Sequence, residues 1–78
     1  MFSEKLKEEL TRRRWRAATL YAAILDVGGD QAVSRAAVYN WTRGTKPTFG
    51  HVCLILRALG IADADRPDWM RASGYSPD

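Results

Sequence analysis

The sequence predicts an all-α protein, a compact bundle of about five short helices. Three observations lead there. Apolar residues recur at helical spacing in successive stretches, whereas period-2 alternation never lasts long enough for a strand. Glycine and proline punctuate the chain at Gly28-Gly29, Gly44, Pro47, Gly60, Pro67 and Gly74, so each stretch is short. The chain has 78 residues, of which 46% are apolar and 27% charged, which suits one small domain spanning 1–78. At this size the folded surface should be about 4,800 Å², against roughly 12,800 Å² for the unfolded chain. That is one modest core, too little for a Rossmann domain or a barrel.

In a first helix, Leu6 and Leu10 share one stripe, Ser3 is the candidate cap and Phe2 a staple residue before it. The far end, Thr11-Arg12-Arg13-Arg14, places cations where the helix dipole is negative. A second helix follows Trp15 or Arg16, with Ala17, Leu20, Ile24 and Val27 at helical spacing, and Gly28-Gly29 stops it. In the third, expected over about 34–43, Ser34 is the N-cap. There Ala37, Val38 and Trp41 point one way, and Arg35, Ala36, Tyr39, Asn40 and Arg43 the other. A loop from Arg43 to Pro47 leads to Thr48, the cap of a fourth helix. Its apolar stripe is Phe49, Val52, Ile55, Leu56 and Leu59, and Gly60 ends it. The tail, 61–78, carries a short fifth helix with Pro67 in its first turn, Trp69 and Met70 as its apolar residues, and Gly74 as its stop.

Charge is uneven. The net charge is +3; residues 1–46 hold nine cations against five carboxylates, net +4, and residues 47–78 are net −1. A basic half on a small domain is a footprint for polyanions. The start, Met-Phe-Ser-Glu-Lys-Leu-Lys-Glu, has no signal-peptide pattern, and the longest mostly apolar run, 17–25, is far short of a membrane span. The lone Cys53 forms no internal disulfide. A cytoplasmic protein with no membrane partner is expected.

Few residues suggest chemistry. His51 and Cys53 are the only soft metal ligands and sit two apart on a helix, whereas a zinc site needs four ligands. Asp26 and Asp30, at i and i+4, read as a surface pair rather than an acid–base dyad. Gly44-Thr45-Lys46 lacks the upstream glycine of a phosphate loop. No catalytic residue, metal or cofactor is expected, and the chain is read as a non-enzyme.

The specific signal is the run from Val33 to Thr48. An apolar residue precedes a serine cap, and a β-branched and then a large residue, Val38 and Trp41, anchor a short helix. Its outer face carries no bulky aliphatic residue. A basic Gly-containing turn and a Pro-Thr start to an apolar helix follow. A helix of this width fits the major groove of B-DNA. Residues 33–61 resemble the second half of a lambda-repressor-like domain, the Cro and phage-repressor helix-turn-helix class, also called the xenobiotic-response-element type. The resemblance implies a five-helix bundle that binds operator DNA, usually as a two-fold dimer. It covers about 29 of the 78 residues.

Upstream, two registers are open. The family's tight turn puts Val27 and Gly28 at its apolar and small positions. It also puts Gln31 where an apolar residue is expected and Ala32 where glycine is, in a helix over 25–31 that contains Gly28-Gly29. The other register keeps 17–27 helical and accepts a longer turn over 28–33, and helix propensity favours it.

On the DNA reading, Arg35, Ala36, Tyr39 and Asn40 contact bases. Arg35 suits a guanine edge, a phosphate or plain solvent, Asn40 an adenine edge or a surface amide, and Tyr39 a thymine methyl, a phosphate or a half-buried position, while Ala36 permits close approach or is simply a good helix former. Ser34, Arg43, Thr45, Lys46, Arg14 and Arg16 are the phosphate candidates. The run 12–16 reads equally as a phosphate clamp or a solvated helix end with Trp15 in the core. Five or six phosphate contacts would give a log K against log salt slope of about −5. The function expected is a sequence-specific regulator, a repressor of Cro or phage-repressor type, acting on double-stranded DNA as a homodimer without a small-molecule effector. The alternative is a protein-interaction module on the same fold, antitoxin-like or partner-binding, motivated by Trp69, Met70 and Tyr75 in the acidic tail.

Overall fold

The computed structural model describes residues 2–28 and 33–75. The order of elements is α1 (Phe2–Arg13), α2 (Ala17–Gly28), α3 (Arg35–Trp41), α4 (Phe49–Leu59), a 3₁₀ turn (Asp63–Asp65) and α5 (Arg66–Ala72), with no strand among the described residues. The chain is therefore a small all-α bundle. Its accessible surface is 5015 Å² and its radius of gyration 11.3 Å, close to the about 11.5 Å expected for this length.

Apolar spacing builds one core. Leu6, Leu20, Ile24, Val38, Val52, Ile55 and Leu56 are buried at its centre. The main seam is α2 against α4, with α3 on α2, and α1 closes the bundle against α3 and α5. The end of α2 approaches α4 closely at Gly28, where an added Cβ would lie 3.0 Å from Leu54 Cδ1. Two helix starts are capped as their sequence indicates. Ser34 Oγ accepts the Ala37 N–H at 3.0 Å, and Thr48 Oγ1 accepts the His51 N–H at 3.3 Å. Gly60 ends α4 at φ 66°, in the left-handed region, while the Ile61 N–H reaches the Leu56 carbonyl at 3.0 Å.

Several expectations change. Ser3 lies inside α1, where its hydroxyl donates to the Trp41 carbonyl at 2.6 Å. It thus satisfies a terminal acceptor of α3 rather than the start of its own helix. Phe2 is no staple. It is buried and meets Trp69 edge to face, with ring centroids 5.9 Å apart. Phe49, expected on the α4 stripe, is 50% exposed, and Leu54 is buried in its place at 2%. Phe49 opens the helix and its ring meets Tyr75 edge to face, with centroids 5.6 Å apart, at the surface, whereas Leu54 faces α2 from mid-helix. Trp69 and Met70 are core residues, 3% and 5% exposed, so they offer no partner surface. Trp15 is half-buried against the core.

Helix α2 runs over Ala17–Gly28, in keeping with the register that helix propensity favours. The turn after it, with Gly29, Asp30, Gln31 and Ala32, lies outside the described residues, as does the Asp26–Asp30 pairing. No helix among the described residues is long and apolar enough to cross a membrane, and no group of three or more His, Cys, Asp or Glu residues there could hold a metal ion.

Candidate nucleic-acid interface

The site is built on α3, which is held from behind. Val38 is fully buried and Trp41 is 3% exposed, its ring packed at 5.2 Å on His51. The Ser34 cap fixes one end and the Ser3 hydroxyl the other. The outer face is left free: Arg35, Ala36, Tyr39 and Asn40 are exposed, Tyr39 by 57%. All four residues expected to read bases therefore share one open surface.

The helix is shorter than the expected 34–43. Thr42 closes α3, with its N–H on the Tyr39 carbonyl at 3.1 Å and its hydroxyl on the same oxygen at 2.6 Å. The Arg43 and Thr45 N–H groups both reach the Asn40 carbonyl, at 2.9 and 3.0 Å, and Gly44 sits at φ 114°. Arg43 is therefore in the turn and not on the helix. A chain that must reverse here needs the positive φ that glycine supplies. The Arg43 guanidinium lies 5.9 Å from the Tyr39 ring centroid, and that of Arg35 lies 5.7 Å from the ring of Tyr21 on α2.

The phosphate candidates divide. Arg16 borders a groove between α1, α2 and α3 that is also lined by Lys7, Tyr39 and Thr42. Thr45 and Lys46 line a different groove, between the start of α1 and the end of α5. There the Lys46 ammonium lies 4.4 Å from the Tyr75 ring centroid, and the Tyr75 hydroxyl donates to the Pro47 carbonyl at 2.8 Å. Ser34 is exposed, but its oxygen already accepts the cap bond. Arg14 is exposed at φ 60°, just past α1, and borders neither groove.

The basic run thus splits into a paired and an unpaired half among the described residues. Arg12 and Arg13 are both bound to the Glu9 carboxylate, Arg13 at 2.6 Å, and Arg13 also lies 5.5 Å from the Trp15 ring. Burial pushes the Glu9 carboxyl up, but hydrogen bonds and charge from Arg13 and Arg12 outweigh it and hold the group below its usual value. Arg14 and Arg16 have no carboxylate within 4.0 Å among the described residues.

Along the sequence, charge from 31 to 62 is one-sided. Residues 31–62 carry Arg35, Arg43, Lys46 and Arg57 and no carboxylate at all. Acids gather elsewhere: Glu8, Glu9, Asp65 and Asp68 line a groove between α1 and the α5 region. Two contributors escape notice in the sequence. Lys7 reads as a solvated α1 residue, although its spacing of four from Thr11 puts both on one helix face, the one bordering the α3 groove. Tyr21 reads as one more helix residue, because only the α2–α3 packing brings its ring to Arg35.

No family model, curated protein or solved structure matches the chain.

Proposed function

We propose that this chain is a sequence-specific double-stranded DNA-binding regulator of the Cro or phage-repressor type, with α2 and α3 as its helix-turn-helix. The observation that carries the reading is the asymmetry of α3. Val38 and Trp41 are sunk in the core, while Arg35, Ala36, Tyr39 and Asn40 stand uncovered on the other side. An exposed helix face with a guanidinium, an amide and a phenol, and no carboxylate within it, matches what a major groove presents: acceptors on guanine, a donor–acceptor pair on adenine and flanking phosphates.

On this reading α3 enters the groove, Arg35 takes a guanine edge and Asn40 an adenine edge, and Ala36 lets the helix approach closely. Arg43, Thr45, Lys46, Arg14, Arg16 and the Ser34 backbone amide serve the phosphates. Four cations on phosphates give a salt slope of about −4, at roughly −0.9 each. The protein acts in the cytoplasm as a homodimer, placing two copies of α3 about 34 Å apart on successive major grooves. It represses by occupying an operator, with control by concentration and not by a small-molecule effector.

A selection of bound sites from random duplex DNA tests the proposal, since it reports sequence preference, half-site spacing and symmetry together. The expected result is a two-fold site with guanine in each half, lost on charge reversal at Arg35 and Arg43. Enrichment of no sequence at moderate salt refutes it.

A further inference from the structure

We propose that Tyr21, on α2, is a positioning residue for Arg35, an aromatic shelf that presents the guanidinium of α3 to a guanine edge. The inference rests on the DNA-binding reading above.

Arg35 opens α3 and is exposed, and a free arginine there would sample many rotamers. Immobilising such a side chain is one of the main costs of binding. Its guanidinium carbon lies 5.7 Å from the Tyr21 ring centroid, within cation–π range. Tyr21 itself is half-buried and packed against the core, so the shelf is fixed to the scaffold. The other arginine–tyrosine pair differs: Tyr39 is 57% exposed and carries Arg43 from the turn just beyond its own helix. No carboxylate among the described residues competes for Arg35 within 4.0 Å.

The chemistry suits the task. Contact with an aromatic face engages the π surface of the guanidinium and leaves its N–H donors free in their own plane. Those donors make the paired contacts to guanine O6 and N7. A carboxylate partner would occupy the same donors and would have to be displaced on binding. The ring therefore orients Arg35 without consuming its hydrogen bonds. The phenol hydroxyl has no part in this, so phenylalanine should serve as well.

The test measures discrimination between the selected duplex and the same duplex altered at the guanine whose preference Arg35→Ala removes. Tyr21→Leu should lower that discrimination about two- to fivefold, as expected for an exposed cation–π contact. Tyr21→Phe should retain it. Preference at the other base positions and the salt slope should not change. Affinity for the selected duplex should fall by the same factor in Tyr21→Leu, and in the Arg35→Ala background Tyr21→Leu should lower that affinity no further.

A second measurement needs no DNA. The Arg35 side-chain proton resonances should be displaced upfield by the ring current in the native protein and in Tyr21→Phe, and should relax in Tyr21→Leu. Wild-type discrimination in Tyr21→Leu overturns the positioning role, as does an equal loss of affinity for the selected duplex when Tyr21→Leu is added to Arg35→Ala. If Tyr21→Leu fails to fold, absence of the upfield displacement in the native protein overturns the shelf, and its presence together with retained discrimination in Tyr21→Phe supports it. If the native protein selects no duplex, the DNA reading falls and the role falls with it, whereas the resonance measurement still reports whether the two side chains meet.

Discussion

On the proposed DNA reading Arg14 bears on both stability and binding, and Arg14→Gly should strengthen the first while weakening the second. At φ 60° the residue occupies the left-handed position that closes α1, where the Trp15 N–H reaches back to the Leu10 carbonyl at 2.8 Å and the Arg14 N–H to Thr11 at 3.0 Å. This is the position helices usually give to glycine. A side chain with a Cβ costs about 1–2 kcal/mol there. Glycine removes that cost but adds about 0.4–1 kcal/mol of unfolded-chain entropy. The net expectation is a gain of about 1 kcal/mol. With an unfolding entropy near 2.1 cal/mol/K per residue over 78 residues, this raises Tm by about 6 °C. The same substitution removes an exposed cation, so the salt slope of DNA binding should become less negative by about 0.9. A thermal melt followed at 222 nm and fluorescence anisotropy across a salt series measure both. Arg14→Asn is the control, because asparagine tolerates the left-handed region and also lacks the charge. An unchanged or lower Tm refutes the strain argument, and an unchanged slope removes Arg14 from the phosphate contacts.

Other substitutions probe the scaffold. Trp41→Ala should cost about 3–5 kcal/mol in urea unfolding, a large part of the roughly 4–12 kcal/mol expected for a domain of this size, and a loss under 1 kcal/mol would mean that α3 is not anchored through this ring. Ser34→Ala should cost about 1 kcal/mol. Ser34→Asp should keep the cap but weaken DNA binding by placing a carboxylate beside the phosphates, and unchanged affinity in Ser34→Asp would put the cap outside the interface. The Glu9 carboxyl is held below its usual value of 4.5 in the folded protein, so its stabilisation is present above that value and is lost as pH falls through the lower, folded one. Glu9→Gln should therefore be less stable by about 0.5–1 kcal/mol at neutral pH, and the gap should close in the window below pH 4.5. A gap that stays constant down to pH 2 would show that the arginine pairs contribute nothing.

Local chemistry made much of this protein legible. Helix spacing, the Ser34 and Thr48 caps and the Gly60 stop all act within a few residues, so α2, α3 and α4 can be placed to within a residue or two from sequence. The exposure of Arg35, Ala36, Tyr39 and Asn40 was legible for the same reason: once Val38 and Trp41 are taken as the buried side, helical geometry assigns the other. Contacts between elements were not. Ser3 has the look of a cap in sequence but donates across the bundle to Trp41, 38 residues away. Trp69 and Met70, in an acidic tail, resemble a surface patch until α5 folds back on α1 and buries them.

The sequence by itself determined where the helices lie and which face of each is apolar, because those follow from backbone geometry at short range. The pairing of Arg12 and Arg13 with Glu9 belongs to that short range too, at i,i+3 and i,i+4 within α1. Only the tertiary structure decided where the other cations lie: Arg35 on Tyr21 and Lys46 toward Tyr75, with Arg14 and Arg16 free of any described carboxylate. The reason is physical. A charged side chain is long and weakly constrained by its own backbone, so its partner is set by whichever ring or carboxylate the packing of distant helices brings within a few ångströms.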